Sequence, residues 1–305
     1  MKVLFTNTHE PCCGVHQYGV NLATVLRSSN EHEFFYCAPG TLDEFLENYI
    51  RLKPDVILYN WQAGAGGWMA QVPLPNMPSK QVLVYHDLEA RFADFDAILF
   101  SDPTMAPHDN WHPIGRPIHK SNIPIPGPQE EIFTIGVNGF IGAWAVNVMR
   151  EALSQFSEFK LRLHLPHATY GDQAGNMAAA AEFACRQLLR EGVKIEVSHQ
   201  FMNWFDLITW LNKNHINCYF RDKSMHWRGV SSALDAALMA RRPIAINKCD
   251  AFRHMLDCQP TICVEDRPIY EIFKDGLSPL VKKYSAWDEE NVRDQVIKVL
   301  EYLLK

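Results

Sequence analysis

Short, unbroken apolar runs alternate along this chain with stretches of helical period. Lys2-Val3-Leu4-Phe5 reads as a buried strand, and a loop carrying Pro11 and Gly14 follows it. A helix is predicted from about residue 17 to 27, with Val20, Leu22, Ala23, Val25 and Leu26 as its apolar positions. A strand at 33–37 ends at Pro39-Gly40, and Leu42, Phe45, Leu46 and Ile50 mark the next helix. Further strands fall at 55–59, 81–85 and 97–100. Strands that are apolar throughout belong to parallel sheets covered on both faces. The first half is therefore expected to be a doubly wound α/β domain.

Pro103 to Pro128 is rich in proline and lacks a period, and 121–129 reads as an interdomain linker. The same grammar then restarts. Strands are predicted at 132–137, 160–165, 194–197, 217–220, 243–247 and 261–264, with helices at 176–190, 204–212 and 231–240. An amphipathic helix, 288–304, closes the pattern. The expected organisation is an N-terminal domain of residues 1–128, a C-terminal domain of 129–287, and a helix at 288–305 packing across both. Two Rossmann-like α/β domains would then face a central cleft, with ligands at the carboxyl ends of the strands.

Composition narrows the function. A chain of 305 residues, 47% hydrophobic and 21% charged, is long enough for two cores. The net charge of −6 argues against a nucleic-acid binder. Residues 1–128 hold 8 Lys and Arg against 13 Asp and Glu, which also disfavours anionic lipid. No apolar run reaches the roughly 20 residues of a membrane span, and the first strand gives way at once to polar residues, unlike a signal peptide. Eight cysteines without a C-x-x-C pair read as free buried thiols, and the expected location is cytoplasmic.

The densest chemistry lies at 228–246. Arg228-Gly229-Val230-Ser231-Ser232 forms a glycine-bearing loop, a helix follows with Asp235 about one turn in, and Arg242-Pro243 announces a strand. Either serine is a candidate helix cap, and the free N–H groups of a helix start attract anions. With hydroxyls in reach of Asp235, a nucleoside diphosphate suits both ends. Arg221 and Lys223 follow the strand at 217–220 and offer further cations for phosphate. His86-Asp87 emerges from the strand at 81–85, placed to bind sugar hydroxyls or take a proton from one. Gly14 and Val15 begin a loop where backbone can approach a ligand closely.

The run Leu234-Asp235-Ala236 with Arg242-Pro243-Ile244 resembles the donor-binding segment of GT-B glycosyltransferases, most of all the retaining family 4 group. Gly14 to Ala23 resembles the glycine opening of that family, with Cys13 in the first glycine's place, and His86 resembles its strand-end histidine, which contacts the transferred sugar. The resemblance implies sugar transfer from a nucleotide-sugar, UDP- or GDP-linked, to an acceptor hydroxyl. Retention, no metal and no further cofactor are implied with it. The donor would bind the C-terminal domain and the acceptor, a glycan, a lipid-linked or a small molecule, the N-terminal one. His86, Asp87 and Arg228 are then the catalytic candidates. Gly14, Val15, Arg221, Lys223, Gly229, Val230, Ser231, Ser232 and Asp235 are the donor-binding ones.

Two departures stand out. Trp227 occupies the place of the first acid in the family's Glu-x7-Glu motif, and 136–144 carries no cation where one is usual. A catalytically inactive nucleotide-sugar or glycan binder of the same fold, an enzyme glycosylating nucleic-acid bases, and a sugar-nucleotide epimerase therefore stay open as alternatives. His108, Asp109, His112 and His119 have metal-binding side chains, but the prolines among them speak against a helical zinc site. Trp204, Phe205 and Trp210 are expected in the core, and Gly64 to Gly67 is expected to form a loop on the acceptor side.

Overall fold

A computed structural model describes the chain except residues 10, 12, 63–66, 87–93, 107, 120–126, 129–130, 140, 144, 168–171, 173 and 224–228. Two compact units emerge. The first joins residues 1–119 to 286–305, and the second is 120–285. The sequence placed the first boundary at 128, within a stretch mostly outside the described residues. The final helix, expected to pack across the domains, is grouped with the first unit.

Unit 1 is built on a six-stranded sheet. Its strands are β1 (Lys2–Asn7), β2 (Glu33–Cys37), β3 (Val56–Asn60), β4 (Lys80–Tyr85), β5 (Ala97–Phe100) and β6 (Trp111–Pro113). All pair in parallel, in the order β2-β1-β3-β4-β5-β6. Side chains alternate across each strand and feed a core on both faces. Val3, Phe5, Val56 and Leu58 face α1 (Gly14–Arg27), while Leu4, Ile57 and Tyr59 pack with Phe45 of α2 (Leu42–Leu52). Thr41 caps α2 by accepting the Glu44 N–H, and Glu44 reaches back to the Gly40 N–H. The terminal helix, here α9 (Glu289–Leu303), lays Val292, Val296 and Leu300 into the α1 side of the core.

Unit 2 carries β7 (Thr134–Asn138), β8 (Phe159–His164), β9 (Val193–Ser198), β10 (Ile216–Tyr219) and β11 (Ile244–Ile246). They are parallel in the order β11-β10-β7-β8-β9. Its helices are α3 (Ala145–Leu153), α4 (Asn176–Arg186), α5 (Trp204–Asn212), α6 (Ala233–Met239), α7 (Ile269–Lys274) and α8 (Val281–Ala286), whose last residue falls in unit 1. The strand expected at 261–264 contributes a single bridge, Cys263 to Ile246. Of the three aromatics assigned to the core, Trp210 is buried but Phe205 is 58% exposed. Among the described residues no helix is long and apolar enough to cross a membrane.

Candidate functional site

In doubly wound sheets, ligands bind beyond the carboxyl ends of the strands, where the strand order turns back. That point lies between β1 and β3 in unit 1, and between β7 and β10 in unit 2. Polar side chains join the strand ends at both places.

In unit 1, Asn7 and Asn60 form the last register pair of β1 and β3, and both are fully buried. Asn60 Nδ2 donates to Asn7 Oδ1 at 2.6 Å and to the Val15 carbonyl at 2.9 Å. Asn7 Nδ2 donates to the His16 carbonyl and the Tyr36 hydroxyl, each at 3.0 Å, while its Oδ1 also accepts the Thr8 N–H at 2.9 Å. Helix α1 comes close because of Gly19. A Cβ there would stand 2.3 Å from Asn60 Nδ2 and 2.4 Å from Asn7 Oδ1.

His86 follows β4 and places Nε2 2.6 Å from Asn60 Oδ1. Its ring meets Tyr18 edge-on at 5.0 Å, and the buried Arg116 guanidinium covers the Tyr18 ring at 4.9 Å. Desolvation, helped by the Arg116 charge, pulls His86 down to about 3. The imidazole is therefore uncharged at neutral pH, suited to hydrogen bonding rather than to storing a proton. Gly14 and Val15, expected in a loop, instead form the first turn of α1. Asp87 lies outside the described residues.

In unit 2, Asn138 ends β7 and accepts a short hydrogen bond from the hydroxyl of Tyr219, which ends β10. Burial keeps that phenol well above its ordinary pKa, with Cys218 and Asp235 adding to the effect, so it stays a donor. Gly139 comes next, at a φ of +107° that strongly favours glycine. A Cβ on it would lie 3.6 Å from the Ala233 Cβ and 3.9 Å from Arg221 Nη2. The loop after β7, the start of α6 and the guanidinium after β10 thus converge. The stretch 136–144, which carries no cation in sequence, thus has the Arg221 guanidinium beside it in the fold.

Arg221 is 9% exposed, and burial lowers its pKa to about 10, which leaves it cationic. Its N–H donates to Asn247 Oδ1 and its carbonyl accepts from Asn247 Nδ2, both at 2.8 Å, which fixes the end of β10 against the residue after β11. Lys223, read in sequence as an equivalent cation, is exposed and pairs with Glu265 at 2.5 Å.

The segment before α6 is also modified by the structure. Gly229, Val230, Ser231 and Ser232 are partly buried, and the Ser231 N–H is already committed to the Ala251 carbonyl at 2.9 Å. Ser232 has helical dihedrals and makes no side-chain cap, because a cap needs an extended backbone at that position. Asp235 is 3% exposed and lies in the interior near Tyr219. Arg228 lies outside the described residues.

A second polar cluster, unmarked in sequence, lies at the ends of β8 and β9. His199 places Nδ1 3.0 Å from the Leu165 carbonyl and Nε2 2.6 Å from a Glu182 carboxylate oxygen. Both partners only accept, so the pairing favours a ring with protons on both nitrogens, and the Glu182 hydrogen bond raises the pKa. The neighbouring His164, hydrogen-bonded to Ser198, is lowered to about 4 by burial and then by His199. His119 is engaged with Glu289 at 3.2 Å. Among the described residues, the ligand-bearing groups that gather closely are Glu31, His32 and Glu301, not His108, Asp109, His112 and His119.

By sequence the chain matches no family model and no curated protein. Its fold is similar to that of Anabaena HepE in complex with UDP and glucose, at 12% identity and a TM-score of 0.65 over 99% of this chain and 100% of that one. It is equally similar to the trehalose-6-phosphate synthase OtsA, at 8% identity and a TM-score of 0.65, covering 100% and 99%. A UDP-forming trehalose-phosphate synthase from Burkholderia xenovorans, in complex with glucose-6-phosphate, follows at 9% identity and 0.62, with both chains fully covered. The fold is GT-B.

Proposed function

We propose that this protein is a glycosyltransferase that moves a sugar from a nucleotide-sugar to an acceptor hydroxyl. The observation that carries the reading is the meeting of Gly139 and the buried Arg221 at the turning point of unit 2. A glycine backbone open to close approach, beside a fixed guanidinium, suits a diphosphate. The neutral His86 and its amide partner in unit 1 suit hydroxyl groups. Neighbours of the same fold, described with UDP and glucose or as UDP-forming, support a nucleotide-sugar donor, UDP-linked before GDP-linked.

In the proposed reaction the acceptor oxygen bonds to the anomeric carbon. The bond from that carbon to the diphosphate breaks, and its electron pair leaves with the nucleoside diphosphate. The hydroxyl proton passes to a departing phosphate oxygen on the same face, which retains the anomeric configuration. Arg221, joined by Arg228, stabilises the charge that grows on the diphosphate, so the scheme calls for no metal and no further cofactor. A glycan, a lipid-linked or a small hydroxylated molecule is the acceptor class in this reading.

A thermal-shift series with uridine, guanosine, adenosine and thymidine diphosphates, and with their sugar conjugates, tests this. One nucleotide is expected to raise Tm by several degrees at saturation, and Arg221→Met is expected to abolish the rise. No rise with any nucleotide, in folded protein, sinks the proposal. Binding followed by release of diphosphate in the presence of glycan or small-molecule acceptors separates transfer from mere binding.

A further inference from the structure

The amides around His86 have no freedom of orientation. Asn60 Nδ2 faces the Val15 carbonyl and Asn7 Oδ1. Turning this amide over would set its oxygen against two acceptors. Asn7 is fixed in the same way, because its oxygen receives the Thr8 N–H and its nitrogen faces the His16 carbonyl. Asn60 Oδ1 is therefore the atom presented to His86, and a carbonyl oxygen accepts only. His86 Nε2 must then carry the proton, and Nδ1 of the neutral ring holds a lone pair. Among the described residues, nothing hydrogen-bonds to that Nδ1.

We propose that Asn60 is a positioning residue that holds His86 as the Nε2–H tautomer, so that Nδ1 reads a hydroxyl group of a sugar-bearing ligand and rejects an anion. This rests on the glycosyltransferase reading for the ligand but not for the tautomer. Two further features support it. Gly19 lets α1 approach both amides, so the Val15 and His16 carbonyls that orient them are brought in by the fold itself. Among the described residues, the charged and titratable groups around the ring are Arg116, through Tyr18, with His16 and Tyr36 on the amide relay. The Arg116 cation opposes a second proton on His86.

Nitrogen-15 NMR on histidine-labelled full-length protein tests the assignment, with His86→Gln identifying the His86 signals among the 13 histidines. In free protein at pH 7 the expected pattern is a protonated Nε2 and an unprotonated Nδ1. The Nδ1–H tautomer, or a doubly protonated ring, overturns the proposal. Adding UDP-glucose is expected to move the Nδ1 resonance, while UDP leaves it in place. An unmoved Nδ1 overturns the hydroxyl role, and Tm measured on the same samples then tells whether nucleotide binding has failed as well. Asn60→Leu is expected to mix the tautomers and to weaken UDP-glucose about tenfold, with UDP affinity unchanged. If that variant does not fold, the two wild-type measurements decide alone.

Discussion

Three histidines at strand ends respond to pH in opposite senses. His86 and His164 are held at about 3 and about 4 in the folded chain, against an ordinary value of 6.5. The unfolded chain binds the extra protons first, so the stability tied to these rings is present above pH 6.5 and lost as pH falls toward 4. Each contributes at most about 1.4 kcal/mol per pH unit in that window. His199 runs the other way, since Glu182 raises it. Its contribution is complete below 6.5 and disappears as pH rises through the folded value. Tm measured from pH 4 to 8 is expected to fall on acidification, and His164→Asn is expected to flatten the acid limb. An unchanged limb refutes the assignment. Residue chemistry was only partly legible in the sequence. His86 and Arg221 carry recognisable groups at strand ends, whereas Asn7, Asn60 and Asn138 read as ordinary polar residues where a loop begins. Their meaning depends on which strands become neighbours, and periodicity does not encode strand order.

Glycines set how closely the elements approach. Gly19 on α1 and Gly136 within β7 each stand where a methyl would meet a buried amide, Asn60 at 2.3 Å and Asn214 at 1.9 Å. The Asn214 amide links Arg162 of β8 to Asn217 of β10 beneath α5. Gly19→Ala and Gly136→Ala are each expected to cost about 2–4 kcal/mol in denaturant unfolding, more than the few tenths usual for an exposed site. A cost below 1 kcal/mol in either would mean that the amides yield freely. Most strands and helices were readable because burial on both faces writes them as apolar runs. The misses have local causes. Strand β6 is three residues long and contains a proline, and α6 starts at Ala233 with no side-chain cap from Ser232 to mark it. Among the three cations near β10, only the fold distinguishes the buried Arg221 from Lys223, which is drawn off by Glu265.

At the scale of the molecule, unit 1 is assembled from two distant parts of the chain. Val292, Val296 and Leu300 of α9 are fully buried against Tyr18, Leu22 and Leu26 of α1. Leu300→Ala is expected to cost about 2–5 kcal/mol. Hydrogen exchange should then show lost protection in β1 and β5, with β7 and β10 keeping theirs. Equal loss in both units would mean that they open together. The amphipathic period of α9 was plain in the sequence, but the unit it would join was not, since an apolar stripe names no partner.

That arrangement has a consequence for the order in which the protein is made. The ribosome completes the synthesis of residues 120–285 before it makes the helix at 289–303. Unit 2 has every segment it needs by then, while unit 1 still exposes the side of α1 that α9 will cover. The half made first is therefore the half finished last, and its open apolar seam is where a chaperone acting on the nascent chain has something to hold.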